Sequence, residues 1–326
     1  MEKNKKIENL RALAICLVVL GHSIIIYSSN WNVYSTEQSM PLFENIKLFI
    51  NIIQMPLFFS LSGFLFYYTI QKKSFFEIFI NKFKRLIIPF ISIAILWLFP
   101  IRYIINYNSY QNRSIVEIFI DIFTGVDCGH LWYLASLFFI FIICFVVVKG
   151  TNLIFKNKKL NSSMLFFIFF MFSYFSYLIP EQCGLIFLRN AVYNSIYFIL
   201  GFIINENHWF KNNSQFSKII LLFPSLLLLF VYFLGKFNYI RILSISIIFS
   251  LYSVFPSKEN YLFKNLSYYS FGLYLFHSPL VYITFNYFPN ISPWMMLLIN
   301  FGLFGSLSMI ITHFVKKTKF RFVLGE

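Results

Sequence analysis

Runs of about twenty apolar residues recur along this chain from end to end. No other feature constrains the fold as tightly. In lipid, a segment of that length must satisfy its own backbone N–H and C=O groups, so only helices or closed barrels can cross. Runs this long and continuous read as helices. The spans lie near 10–28, 46–69, 84–105, 131–149, 163–180, 185–204, 218–235, 239–256, 267–288 and 294–315. Of 326 residues, 59% are hydrophobic and only 12% charged, a balance foreign to soluble domains. The expected fold is therefore all-α: a polytopic helical membrane protein with about ten transmembrane helices.

The net charge of +15 would suggest nucleic acid in a soluble chain. Here the basic residues fall in short loops between apolar runs, where they set topology, so no nucleic-acid partner is expected. With the N-terminus in the cytoplasm, that side holds about 20 Lys and Arg, and the other about 5 (Arg102, Arg113, Arg189, Lys236 and Arg241). The alternation predicts that both termini are cytoplasmic. The basic start and first apolar run imitate a signal peptide. The run is long and lacks a small-residue cleavage site, so a retained first helix is expected. No linker or tandem repeat divides the sequence, and the longest loop, near 103–130, lies on the outer side. A single integral membrane domain over 1–326, with no appended soluble domain, is the expected organisation.

Cys16 and Cys144 fall within apolar runs and read as inert core residues. Cys128 and Cys183 fall in outer loops, where an oxidising compartment permits a disulfide; two free thiols are the alternative.

Two ionisable residues share the first apolar run. Arg11 and His22 are eleven positions apart. At about 100° per residue, that separation comes to about 20° past three full turns, so the side chains share a face. The rise is about 16 Å, roughly half the hydrocarbon core. Ionisable groups inside a membrane are costly and read first as functional. The structural alternatives are a topology charge for Arg11 and a histidine satisfied by a neighbouring carbonyl for His22.

Further motifs follow in order. Glu8 stands three residues before Arg11. Met55-Pro56-Leu57-Phe58-Phe59-Ser60-Leu61-Ser62-Gly63-Phe64 ends the second span's motif in Ser-Gly-Phe, and Lys82-Phe83-Lys84-Arg85-Leu86-Ile87-Ile88-Pro89 opens the third. Gly129-His130-Leu131-Trp132-Tyr133-Leu134 opens the fourth, and Tyr274-Leu275-Phe276-His277-Ser278-Pro279 lies in the ninth. Together these resemble the acyltransferase 3 family, membrane-bound acyltransferases that commonly O-acetylate sugars. Glu8, Arg11 and His22 match the family's first-helix hallmark position for position, and the resemblance covers nearly the whole chain. Lys82 departs from the pattern, which has Arg there; lysine supplies charge but no bidentate fork.

The resemblance implies an O-acyltransferase in a bacterial inner or plasma membrane. Its donor would be cytosolic acyl-CoA, most simply acetyl-CoA. The acceptor would be a hydroxyl of a surface or envelope polysaccharide or its lipid-linked precursor. Membrane lipids would surround it, and no metal is expected. His22 becomes the candidate catalytic residue, as general base or acyl carrier, with Arg11 and Glu8 beside it. Lys82, Arg85 and Arg11 become candidates for the donor's phosphates. His130, Trp132, Tyr133, His277 and Ser62 become candidates for acceptor binding, with oxyanion stabilisation the alternative for His130 and His277. Each has a plainer reading: an interfacial aromatic belt for His130 to Tyr133, a close helix contact at Ser62-Gly63, and topology charges for Lys82 and Arg85. Pro279 is expected to weaken local helix bonding near His277 and open a pocket. The main rival function is a transporter or flippase for a glycolipid or small solute; a polysaccharide polymerase is a second.

Overall fold

Helix α1, Lys5–Ser23, begins at Asn4, whose side chain accepts from the backbone N–H groups of Lys6 and Ile7. Glu8 sits in the first turn, where an acidic residue suits the helix dipole, while Asn4 provides the cap. The computed structural model describes residues 4–29, 31–182, 184–210, 215–235 and 239–326, and among these the chain is helical with no strand.

Helix α2 runs Pro41–Ile70 and α3 runs Phe75–Ile104. A capping box of Ser74 and Glu77 starts α3. Two wide turns interrupt α3: Ile88 N bonds Phe83 O, and Phe99 N bonds Ala94 O, each five residues back. Both have one cause. Pro89 and Pro100 lack the N–H that would bond the carbonyls of Arg85 and Leu96, so the helix widens just before each proline.

A short helix α4, Ile115–Thr124, follows inside the stretch read as the long outer loop. It starts with a Ser114–Glu117 capping box and stops at Gly125, whose φ of 92° is left-handed. The remaining helices are α5 Trp132–Ile154, α6 Lys158–Phe175, α7 Ile186–Glu206, α8 Gln215–Phe233, α9 Ile240–Val254, α10 Tyr261–Tyr287 and α11 Pro293–Lys316. Every apolar span read from the sequence falls on one of these helices. Among the described residues, six helical stretches are long and apolar enough to cross a membrane. These are Pro41–Ile70, Phe75–Ile104, Ile115–Ile154 (bent after α4), Lys158–Leu178, Ile186–Glu206 and Pro293–Lys316. Cys183, considered as a partner for Cys128, lies outside the described residues.

Glycine sets the closest helix crossing. A Cβ on Gly63 would lie 1.8 Å from Phe198 O, and one on Gly201 would lie 1.8 Å from Ser60 O. Helices α2 and α7 therefore touch backbone to backbone, as small residues permit in membranes. Helix α1 lies between α2 and α10 and is tied at both ends by buried amides. Asn9 Nδ2 donates to Pro256 O and Lys258 O at 3.0 and 2.9 Å. At the other end, Asn300 Nδ2 donates to Ser23 O at 3.3 Å, while Asn300 Oδ1 accepts from Thr284. Each such bond contributes about 1 kcal/mol net, but leaving its buried partner unpaired costs more. These ties fix the axial position of α1, and with it the places of Arg11 and His22.

Candidate active site

Arg11 and His22 point from one face of α1 into two different cavities. The first, about 300 Å³, gathers four cations: Arg11 from α1, Lys82 and Arg85 from α3, and Lys316 from the end of α11. Lys82 and Arg85 are three residues apart on a helix, so they share a face. Lys82 Nζ lies 3.7 Å over the Phe141 ring, and Lys316 pairs with Glu326 at 3.0 Å. The C-terminal turn closes one wall, with Leu324 and Glu326 in the lining. Gly325, at φ +68°, crosses the backbone of Arg85 so closely that a Cβ would lie 2.8 Å from Arg85 Cα. Ser62, Tyr133, Ser270 and Tyr274 line the same cavity.

The second cavity, about 430 Å³, lies at the other end of α1. His22, His130 and Trp132 line it together with Trp31, Arg102, Tyr107, Asp127, Asn190 and Tyr282. Arg102 is 1% exposed. Its Nη1 donates to Asp127 Oδ1 at 2.9 Å and to Asp127 O at 3.0 Å, and Nη2 donates to Tyr282 Oη at 3.3 Å. The guanidinium also lies over the rings of Tyr107 and Tyr282, at 4.4 and 5.0 Å. Gly129, at φ +54°, passes against it: a Cβ there would lie 2.8 Å from Nη2. Burial pushes the Tyr107 phenol above its ordinary range, so it stays protonated at neutral pH.

Between the cavities stands a wall of rings. The imidazoles of His22 and His277 meet edge to face at 5.1 Å, and those of His277 and His130 lie 5.9 Å apart. Tyr274 continues the row, 5.4 Å from His130 and 5.6 Å from Tyr133. Its hydroxyl donates to the backbone carbonyl of His130. Tyr133 Oη and Ser62 Oγ share a hydrogen bond at 3.3 Å on the cationic side. Among the described residues the two cavities share no lining residue, and this row separates them.

Carbonyls set two of the histidine tautomers. His130 Nε2 is 3.1 Å from Leu275 O, and His277 Nδ1 is 2.6 Å from Leu273 O. A carbonyl only accepts, so each bonded nitrogen carries the proton and the other nitrogen of a neutral ring is bare. Those bare atoms, His130 Nδ1 and His277 Nε2, are buried without a hydrogen-bond partner among the described residues. His22 Nδ1 lies 3.4 Å from Ser278 Oγ.

Pro279 has a different role from the one expected. Helix α10 runs unbroken past it, and His277 is wholly buried and lines neither cavity. Pro279 instead leaves the carbonyl of Leu275, four residues back, without its helical N–H, and His130 Nε2–H takes that place. The proline thus frees an acceptor that holds His130.

The structure brings Arg11, Lys82 and Arg85 together with Ser62 and Tyr133 in one cavity, and His22, His130 and Trp132 in the other. Glu8 is outside both linings. The Ser62-Gly63 pair serves in two ways: Gly63 makes the close contact with α7, and Ser62 lines the cationic cavity. Arg102, Asp127, Trp31, Tyr274 and Tyr282 were not singled out from the sequence as site residues. One signal did point to Arg102: it lies inside the third apolar run, not beyond it.

Comparison with known families agrees with the motifs. The model of the acyltransferase 3 family, described as an acyltransferase domain, matches residues 4–315. No curated protein and no solved structure matches the chain. The matched stretch includes the three cations Arg11, Lys82 and Arg85, all three histidines of the ring row, and the Arg102–Asp127 pair. The chain belongs to the acyltransferase 3 family.

Proposed function

We propose that this membrane acyltransferase moves an acetyl group from cytosolic acetyl-CoA to a hydroxyl of an envelope polysaccharide or its lipid-linked precursor. On this reading all ten apolar segments cross the membrane, both termini are cytoplasmic, and the cationic cavity opens inward. The observation that carries the proposal is the pairing of the two cavities along α1. One is lined by Arg11, Lys82, Arg85 and Lys316, the other by His22 and His130, and the ring row lies between.

Coenzyme A is a slim pantetheine arm ending in phosphates, and cations bind phosphate by charge-assisted hydrogen bonds. Arg11 and Arg85 offer forks, and Lys82 and Lys316 offer point charges. The arm then lies along α1, whose rise of about 16 Å from Arg11 to His22 separates phosphate end from thioester end. Tyr133 and Tyr274 must swing aside for the thioester to meet His22.

In the tautomer where His22 Nδ1–H donates to Ser278 Oγ, Nε2 is bare and takes the acceptor's proton. The acceptor oxygen forms a C–O bond to the acyl carbon as the C–S bond breaks. The thiolate then leaves and regains a proton from the imidazolium. The alternative has His22 attack first and carry the acyl group on its ring. Rapid quenching with labelled acetyl-CoA separates the two routes, since only the second leaves label on the protein.

The donor half has its own test. Combined substitution Arg11→Ala, Lys82→Ala, Arg85→Ala removes three charge-assisted contacts, each about 1.5–3 kcal/mol. The expected result is at least a hundredfold weaker binding of coenzyme A to the inserted protein. Unchanged affinity would remove the donor role from this cavity.

A further inference from the structure

The cavity beside His22 carries a device the acyl-transfer step does not use. Among the described residues lining it, Arg102 and Asp127 are the charged side chains, one of each sign and paired at 2.9 Å. The pair is satisfied internally only in part. Arg102 Nε, a donor, and Asp127 Oδ2, an acceptor, are buried without a hydrogen-bond partner among the described residues. Burying polar groups in that condition is costly, and a ligand that supplies partners relieves the cost. Gly129 is held at a positive φ against the guanidinium, which leaves Arg102 little room to move away.

The sign balance defines what fits. A carboxylate or phosphate drawn to Arg102 also meets Asp127 and gains little from a pair with no net charge. A hydroxyl pair suffers no such conflict: one oxygen accepts from the guanidinium while the other donates to the carboxylate. Trp31 and Trp132 line the same cavity, and an indole ring packs well against the C–H side of a flat molecule.

We propose that Arg102, Asp127 and Trp31 form a subsite for an uncharged pyranose ring of the acceptor, read by a pair of hydroxyls. This rests on the acceptor-side reading of the His22 cavity given above. It adds that the sugar seated there bears no acidic group, with Asp127 as the residue that rejects one.

The test is a titration without any acyl donor. Tryptophan fluorescence of the purified chain is followed on adding methyl gluco-, galacto- and mannopyranosides, and separately the matching uronides, which differ only by a carboxylate. The expected result is that at least one neutral pyranoside binds about tenfold tighter than its uronide. In Asp127→Asn, Arg102 is left uncompensated, and the preference should fall about tenfold or reverse. Equal or tighter binding of the uronides by the unaltered protein overturns the proposal, as does binding of neither class or an unchanged ratio in the variant. Should the variant fail to insert, the ratio in the unaltered protein still decides. Because no donor is present, loss of acetyl transfer and loss of sugar discrimination are read separately.

Discussion

At the scale of single residues, position along a helix decides role. Arg11 and His22 occupy the same face of α1, yet one lines a cationic cavity and the other a neutral one. Their relation was legible in the sequence because a shared helical face follows from spacing alone. Arg102 was not legible in this way. Its partners come from elsewhere in the chain: Asp127 is 25 residues away and Tyr282 180 residues away. Charge counting alone reads it as an outer-loop cation. Gly129 shows how tightly this arginine is held. Gly129→Ala adds a Cβ at a left-handed φ and against Nη2, so a loss of about 1–3 kcal/mol is expected. A lower midpoint in thermal unfolding of the detergent-purified variant, with Gly150→Ala as control, measures it; a Cβ on Gly150 meets nothing within 4 Å among the described residues.

At the scale of helices, apolar length predicted the elements well because lipid demands it. Each apolar run became a helix. The element missed was α4, whose ten residues are too few to cross and were absorbed into a loop. Its start was nevertheless written in the sequence as Ser114-x-x-Glu117, with Glu117 reaching back to Ser114 at 2.8 Å. The contact between α2 and α7 was legible only in part: Gly63 suggested a close approach, but not that Gly201 answers it from the other side. The crossing leaves no room for a methyl group facing a carbonyl at 1.8 Å. Gly63→Ala or Gly201→Ala should therefore force the helices apart, at a cost of about 1–3 kcal/mol or more. Reduced yield of folded protein and faster proteolysis of α2 would show this. Wild-type stability in both variants would mean the helices are not packed this closely.

For the whole molecule, the arrangement of the two cavities carries the account. A cation-lined cavity at one end of α1 and an imidazole-lined cavity at the other stand on either side of a row of rings. The sequence supplied part of each set, since Arg11, Lys82 and Arg85 look basic and the histidines look out of place in apolar runs, whereas Lys316 reads only as a topology charge. It did not show that His277 is enclosed, or that Tyr274 links His130 to Tyr133. Those relations depend on how α10 packs against the opening of α5. Transfer of labelled acetyl from acetyl-CoA to cell-envelope glycans, by equal amounts of membrane-inserted wild-type and His22→Ala protein, tests the central claim most directly. The account predicts that His22→Ala loses at least about a hundredfold in transfer rate while binding coenzyme A as tightly as the wild type. Transfer by His22→Ala at the wild-type rate would contradict it.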